Sequence, residues 1–279
     1  MEVGVSTCCV DTGENTIIDH LVDIKKAGFN IIEIDGHNYS SFPYLENEFI
    51  ENLKKVLLRL KIRINSIHAP FHLSITDPDK NIREEAIATI LKFLHCIKPL
   101  EELTEKGFLI IHPGHHLTRT PAHIQQMLCL ESLKIILENN PLSRLKPSVE
   151  NMLSSHYGGK ASELKLMVET FGKNRLSICL DTSHSVYDSN PVDFLSVVEP
   201  YISTTHLSDN YNQSRGEFHA IPMTLKHSCI NWLVLMKELT GKLDTLIFEL
   251  NKPYYLDNFT FLKMARLAAD RLKDFIPTQ

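Results

Sequence analysis

Short apolar runs in this chain repeatedly end on a residue able to ligate a divalent cation. INSIHAP carries His68, LIIHPG carries His112, PSVEN carries Glu150, and SICLDTSH carries Asp181 and His184. STTHLSD carries His206, GEFHAIP carries His219 and LIFELN carries Glu249. Carboxylates brought close together repel one another and stay partly protonated unless a cation lies between them. A mixed set of imidazole nitrogens and carboxylate oxygens suits Zn²⁺, Mn²⁺, Co²⁺ or Fe²⁺ better than Ca²⁺. A divalent-metal site is therefore the chemistry to expect.

Such a site needs a scaffold that gathers residues far apart in sequence. The chain alternates short, nearly continuous Ile/Val/Leu runs with amphipathic stretches, the pattern of strands buried on both faces between helices. VGVST is followed by a helix over Ile17–Ala27, NIIEID by one over Glu48–Leu60, RINSIH by one from Asn81, and FLIIH by one over Ala122–Glu138. KPSVEN leads to Ser162–Phe171, LSICLD to Val192–Val198, YISTTHL to Cys229–Glu238, and TLIFEL to Asn258–Phe275. Turn signals such as Lys26-Ala27-Gly28 and Gly172-Lys173-Asn174 separate the units. Eight such units predict an α/β (β/α)8 TIM barrel, one domain spanning residues 1–279. In that fold catalytic groups sit at the C-terminal ends of strands. Glu150, Asp181, His206 and Glu249 then end strands five to eight, three carboxylates and one imidazole ready to share a cation.

Composition agrees with a folded, non-basic protein. Of 279 residues 43% are hydrophobic and 23% charged, and the formal charge is −5, so no global basic field recruits nucleic acid. The six cysteines form no C-x-x-C pair; they read as reduced thiols of a cytoplasmic protein. The N-terminal residues lack the basic and apolar blocks of a signal peptide, and no apolar run is long enough for a membrane span.

DTSH at 181–184, HLSD at 206–209, HPG at 112–114, and the Glu-Asn and Phe-Glu-Leu pieces around Glu150 and Glu249 occur in order over nearly the whole chain. This ordered set resembles the xylose isomerase-like TIM-barrel superfamily, which holds sugar isomerases and epimerases and also endonuclease-four-type apurinic/apyrimidinic endonucleases. The resemblance implies that Glu150, Asp181, His206 and Glu249 hold a metal common to both branches. In the epimerase branch Glu150 and Glu249 would be catalytic, moving a proton off and onto carbon through a metal-stabilised enediolate, with His184, Arg215 and Glu33 touching substrate. In the endonuclease branch His68, His112 and Glu150 would hold a second zinc and His184, Glu217 and His219 a third. Glu217 replaces the aspartate of that branch. IEIDGHNYSSFPY is closer to the acidic second strand of sugar isomerases, and the loops after strands one to three lack clustered Arg or Lys. The sequence thus points to a divalent-metal isomerase or epimerase of a sugar, sugar phosphate or related polyol. It would carry one to three Zn or Mn ions, take a small carbohydrate as partner and use no membrane; a DNA-cleaving endonuclease is the alternative.

Other residues have plainer expectations. His115 and His116 read as solvated loop residues, His156 and Tyr157 as surface loop, and Trp232 as packing. His37 and His72 are placed in strand-end loops. Asp209 reads as a partner orienting His206 or as an exposed loop acid, and Lys25, Lys26, Lys54 and Lys55 as solvated helix faces.

Overall fold

The computed structural model of the chain describes residues 1–10, 13, 15–114, 120–187, 189–210 and 218–276. Eight parallel strands close on themselves in chain order: β1 Glu2–Ser6, β2 Ile31–Asp35, β3 Arg63–His68, β4 Gly107–Ile111, β5 Leu145–Glu150, β6 Ser177–Asp181, β7 Ile202–Leu207 and β8 Thr245–Phe248. The helices around them are α1 Ile17–Ala27, α2 Asn47–Leu60, α3 Lys80–Ile97, α4 Ala122–Glu138, α5 Ala161–Phe171, the one-turn α6 Thr182–Ser185, α7 Pro191–Val198, α8 Trp232–Leu239 and α9 Asn258–Lys273. This is the single-domain (β/α)8 barrel expected from the sequence.

The helices form where apolar residues recur at helical spacing. In α1 the buried positions are Ile17, Leu21, Ile24 and Ala27, one stripe turned to the barrel. Asp19 accepts from the Thr16 backbone N–H at 2.8 Å to start the helix, and Gly28, at φ +102°, ends it in the left-handed conformation. Leu21 is fully buried; its truncation to alanine would cost about 2–5 kcal/mol. Helix α9 packs on α1 and so closes the outer ring where the chain's two ends meet.

Two elements depart from the sequence reading. GEFHAIP, grouped above with the short apolar runs, lies in its described part in the long β7–α8 connection, tied back by an antiparallel bridge between Asp209 and Ala220. Its polar residues and Pro222 leave it no continuous apolar run to bury. Helix α8 starts at Trp232 rather than Cys229, because the Asn231 side chain accepts from Val234 N–H and sets the first turn there.

The barrel interior is polar as it nears the site. The β2–β3 register slips between Ile32 and Glu33, and Asn65, skipped by the pairing, donates across the interior to Thr204 Oγ1 at 3.1 Å. Among the described residues no helix is long and apolar enough to cross a membrane.

Candidate metal centre

Glu150, at the end of β5 and 1% exposed, is the hub of the C-terminal mouth. Its Oε2 lies 3.1 Å from His68 Nε2 and 3.1 Å from His112 Nε2. Its Oε1 lies 3.1 Å from His206 Nδ1 and 3.4 Å from His184 Nδ1. Four imidazoles from four different segments therefore enclose one carboxylate. Strand order explains the convergence: β3 and β4 lie on one side of β5, and β6 and β7 on the other.

Hydrogen bonds on the far ring nitrogens orient the near ones. His206 Nε2 donates to Glu33 Oε2 at 2.9 Å, and Glu33 also accepts from Ser66 Oγ at 2.7 Å. With Nε2 carrying the proton, His206 Nδ1 turns its lone pair on Glu150 Oε1 and on Glu249 Oε2, each 3.1 Å away. His68 Nδ1 donates to the Ala69 carbonyl at 2.7 Å, which turns its Nε2 onto Glu150 Oε2 at 3.1 Å. Asp181 Oδ2 and His206 Nδ1 are both buried without a hydrogen-bond partner. Lone pairs aimed at lone pairs in a dry site call for positive charge between them. These side chains fit a divalent cation.

Among the described residues the ligand-type side chains fall into three contiguous groups: His68, His112 and Glu150; Glu150, Asp181, His206 and Glu249; and Asp181, His184 and His219. Within each group one atom per residue lies within 4.8 Å of the others. Glu150 belongs to two groups and Asp181 to two. Asp181 also caps α6, accepting from His184 N–H at 2.5 Å. His219 reaches the site from the β7–α8 connection and meets Ser208 Oγ at 3.1 Å, with Nδ1 3.8 Å from Asp181 Oδ2.

The electrostatics carry the same demand. Burial alone would lower the His68 pKa, but the Glu150 carboxylate outweighs it and holds it at about 9. Burial likewise opposes a proton on His206, yet the surrounding Glu249, Glu33 and Glu150 hold its pKa well above the usual imidazole value. Burial raises the Asp181 carboxyl to about 6. The Glu249 carboxyl, which burial would raise, is held at about 2 by His206. Burial lowers His112 despite Glu150, so that ring is neutral at pH 7. Protons on His68 and His206, or cations in their stead, must balance the acids.

Several supports were not anticipated in sequence. Asn151 staples β5 to β6: its Nδ2 donates to the Asp181 carbonyl at 2.9 Å, its Oδ1 accepts from Asp181 N–H at 2.7 Å, and its carbonyl accepts from His184 Nδ1 at 2.9 Å. Thr182 Oγ1 donates to the Ser208 carbonyl at 2.7 Å and joins β6 to β7. The only sequence signal was that Asn151 follows Glu150, Thr182 follows Asp181 and Ser208 lies two residues after His206.

Other expectations fall differently. Glu33 lies inside the barrel beneath His206, fully buried, and not on the rim. Asp209 neither orients His206 nor faces solvent: buried, it accepts from Met223 N–H at 3.1 Å and from Ser228 Oγ, ordering the loop that carries His219. Tyr157 is buried against Gly114, whose backbone leaves no room for a Cβ beside the Tyr157 carbonyl, so it is not surface loop. Lys54 is not simply solvated; it pairs with Glu102 at 2.7 Å. Trp232 is buried in the core as expected. Phe71 stacks on His37 at 3.6 Å and on His112 at 5.1 Å between ring centroids. Arg215, Glu217, His115 and His116 lie outside the described residues.

Comparison with known proteins gives a consistent frame. The sequence model of the xylose isomerase-like TIM barrel matches residues 21–263. A probable endonuclease 4 from Campylobacter fetus subsp. fetus is 27% identical over 223 residues, 73% of this chain and 76% of its own. A probable endonuclease 4 from Carboxydothermus hydrogenoformans is 24% identical over 170 residues, 60% of this chain and 56% of its own. In solved structures, a D-tagatose 3-epimerase-like protein superposes with TM-score 0.80 at 20% identity, over 98% of this chain and 99% of that one. D-Psicose 3-epimerase from Clostridium cellulolyticum H10 gives 0.74 at 15%, over 98% and 99%. At those identities the structural likeness speaks to fold alone.

Proposed function

The chain belongs to the xylose isomerase-like TIM-barrel family, and from that premise we propose that it is a metal-dependent phosphoester hydrolase. Members of this family include sugar epimerases and endonuclease 4 enzymes, so the choice between carbon acid chemistry and phosphoryl transfer rests on the site itself. The observation that carries the reading is the enclosure of Glu150. An epimerase needs that carboxylate to take a proton from a substrate carbon. Here both its oxygens face imidazole nitrogens, at 3.1–3.4 Å, and 1% of the residue is exposed. That is the setting of a bridging ligand between two cation positions.

His68, His112 and Glu150 would hold one cation, the Glu150–Asp181–His206–Glu249 set another, and Asp181, His184 and His219 a third. Zinc or manganese suits these donors. Bound there, divalent ions supply charge for the phosphoryl oxygens and a water nucleophile at neutral pH. The protein's own part is to hold the ligand tautomers through Glu33 and the Ala69 carbonyl and to exclude competing water by burial. In phosphodiester hydrolysis a P–O bond forms to water, the ester P–O bond breaks, and the water proton ends on the leaving oxygen.

The second reading is a sugar isomerase or epimerase. It is favoured by Glu249, 20% exposed where Glu150 is closed off, and so the carboxylate that reaches substrate at the mouth. One substitution separates the two. His112→Ala should lower phosphodiesterase turnover by about a hundredfold or more, measured on bis(4-nitrophenyl) phosphate with zinc- or manganese-loaded protein. If the wild type instead exchanges solvent deuterium into a ketose beside its carbonyl, and His112→Ala leaves that exchange intact, the hydrolase reading fails.

A further inference from the structure

The mouth of the barrel has two unlike halves. From β3 round to β7 it is filled by the imidazoles that enclose Glu150. At the ends of β8 and β2 stand two acids that stay partly exposed, Glu249 and Asp35. Strand register places Asp35 there. Side chains two apart on a strand share a face, so Asp35 points the same way as Glu33, which lies inside the barrel against His206. Asp35 stands one step nearer the mouth, and its Cα partner on β3 is His68. Burial raises its carboxyl, the charge of His68 lowers it, and Glu249 and Glu33 raise it again, as befits an acid beside the cluster. Yet among the described residues Asp35 belongs to none of the three ligand groups.

This carboxylate is held in place. Its Oδ1 accepts from His37 N–H at 2.9 Å, and its own N–H donates to Thr7 Oγ1 at 2.8 Å. The next residue, Gly36, donates its N–H to the His68 carbonyl at 3.0 Å, and a Cβ there would lie 2.3 Å from that oxygen. The ends of β1, β2 and β3 are thereby tied together around Asp35. Its Oδ2 takes no hydrogen bond from a described residue, and the side chain keeps a path to the mouth. A carboxylate accepts hydrogen bonds, so what meets Oδ2 has to donate one. A phosphoryl oxygen is repelled there. An ammonium would be drawn to Asp35 but pushed away by a divalent ion on the neighbouring His68, His112 and Glu150. A neutral hydroxyl satisfies both.

Resting on the phosphoester-hydrolase reading above, we propose that Asp35 selects the alcohol portion of the substrate, a phosphodiester of a polyhydroxy alcohol whose hydroxyl donates to Asp35 Oδ2 while its phosphoryl group faces the ligand cluster. The two halves of the mouth then divide the work: the enclosed half takes the charge of the phosphoryl group, and the open half reads the hydroxyls. Hydrolysis forms one P–O bond to water, breaks one ester P–O bond and passes the water proton to the leaving oxygen, with no redox partner.

The test uses the full chain loaded with zinc or manganese and two probes that share a leaving group, glyceryl 4-nitrophenyl phosphate and propyl 4-nitrophenyl phosphate. They differ only in the hydroxyls. Release of 4-nitrophenol should give a kcat/KM about tenfold or more higher for the glyceryl ester. Asp35→Asn keeps an acceptor for His37 N–H and so spares the turn, but a neutral acceptor is weaker, and the preference should fall to about threefold. In Asp35→Ala it should fall to about one; if that variant does not fold, the Asn ratio decides. A ratio taken on one protein sample cancels losses of metal or of folded enzyme, which slow both esters alike. Equal kcat/KM for the two esters in the wild type, or a preference for the propyl ester, would overturn this proposal and leave the hydrolase reading standing. So would a glyceryl preference that survives undiminished in the variants. No turnover of either ester by protein shown to hold metal would remove the hydrolase reading and this proposal together.

Discussion

The two ends of the barrel are built from the same kinds of residue and use them in opposite ways. At the N-terminal end, charges sit in water: Arg63 pairs with Glu2 at 2.5 Å with side chains 60% and 57% exposed, and Lys146 turns onto the Lys173 carbonyl. At the C-terminal end Glu33, Glu150, Asp181 and His206 are all within 1% of complete burial. Exposed pairs are screened, and each is worth about 0–1 kcal/mol. Buried ionisable groups cost several kcal/mol unless fully partnered, so a fold keeps a cluster of them only where something repays the cost. Here the partners are incomplete, since Asp181 Oδ2 and His206 Nδ1 have no hydrogen-bond partner. The lesson is that burial and missing partners, not residue type, separate a binding site from surface charge.

The sharpest break of the comparison is at Glu33, which hydrogen-bonds to His206 and to Ser66. Replacing it by leucine removes the acceptor that fixes the ring with Nδ1 facing the cluster. Metal affinity should fall by about 10–100-fold, the cost typical of losing such an orienting partner, read by competition with a chromophoric chelator. Glu33→Gln keeps a carbonyl acceptor for Nε2–H and should lose less. Equal losses in the two variants would mean that the negative charge, and not the orientation, is what His206 needs.

Much of this site was legible in the sequence. Apolar runs, most of them ending in His or acid, marked the eight strands and placed Glu150, Asp181, His206 and Glu249 together, because in a parallel barrel strand ends share one face. His219 was grouped with the strand-end ligands, yet no strand carries it. Its neighbourhood reaches the mouth through a loop bridge at Asp209 and Ala220, a long-range contact with no local periodicity. Glu33 was legible as chemistry but not as position. Whether it met a substrate or a ligand depended on the β2–β3 slip at Ile32, and such a slip leaves no mark on composition. Asn151 went unremarked because a buried asparagine after a strand reads as an ordinary turn residue until its three bonds are seen.

A pH titration compares the site with and without its cation. The His68 pKa is raised from 6.5 to about 9 by Glu150 after burial has opposed it. In the unfolded chain it returns to about 6.5. The native state therefore binds the extra proton, and chelator-treated protein holds that stabilisation in full below about pH 6.5. It loses it as pH rises through about 9. A divalent cation needs the same ring neutral, so metal affinity should rise over that window. Chelated protein should thus show a falling Tm between about pH 7 and 9 while the metal-induced gain in Tm grows. Parallel curves for the two forms would separate His68 from the cation.

The smallest effect is expected at the opposite end. Arg63→Ala breaks the pair with Glu2 at the start of β3, where both side chains stay more than half exposed. The Coulomb energy lost there is offset by regained side-chain freedom and by hydration of the freed carboxylate. Chemical denaturation should register a change of about 0.5 kcal/mol or less, with metal content and turnover unaltered. The Arg63 backbone N–H still bonds to the Asn30 carbonyl at 2.9 Å, so the β2–β3 register that aims Glu33 at His206 survives the substitution. Were this distant surface change to loosen metal, the register of β3 would depend on its exposed pair. The barrel's two ends would then be coupled through a single strand instead of acting independently.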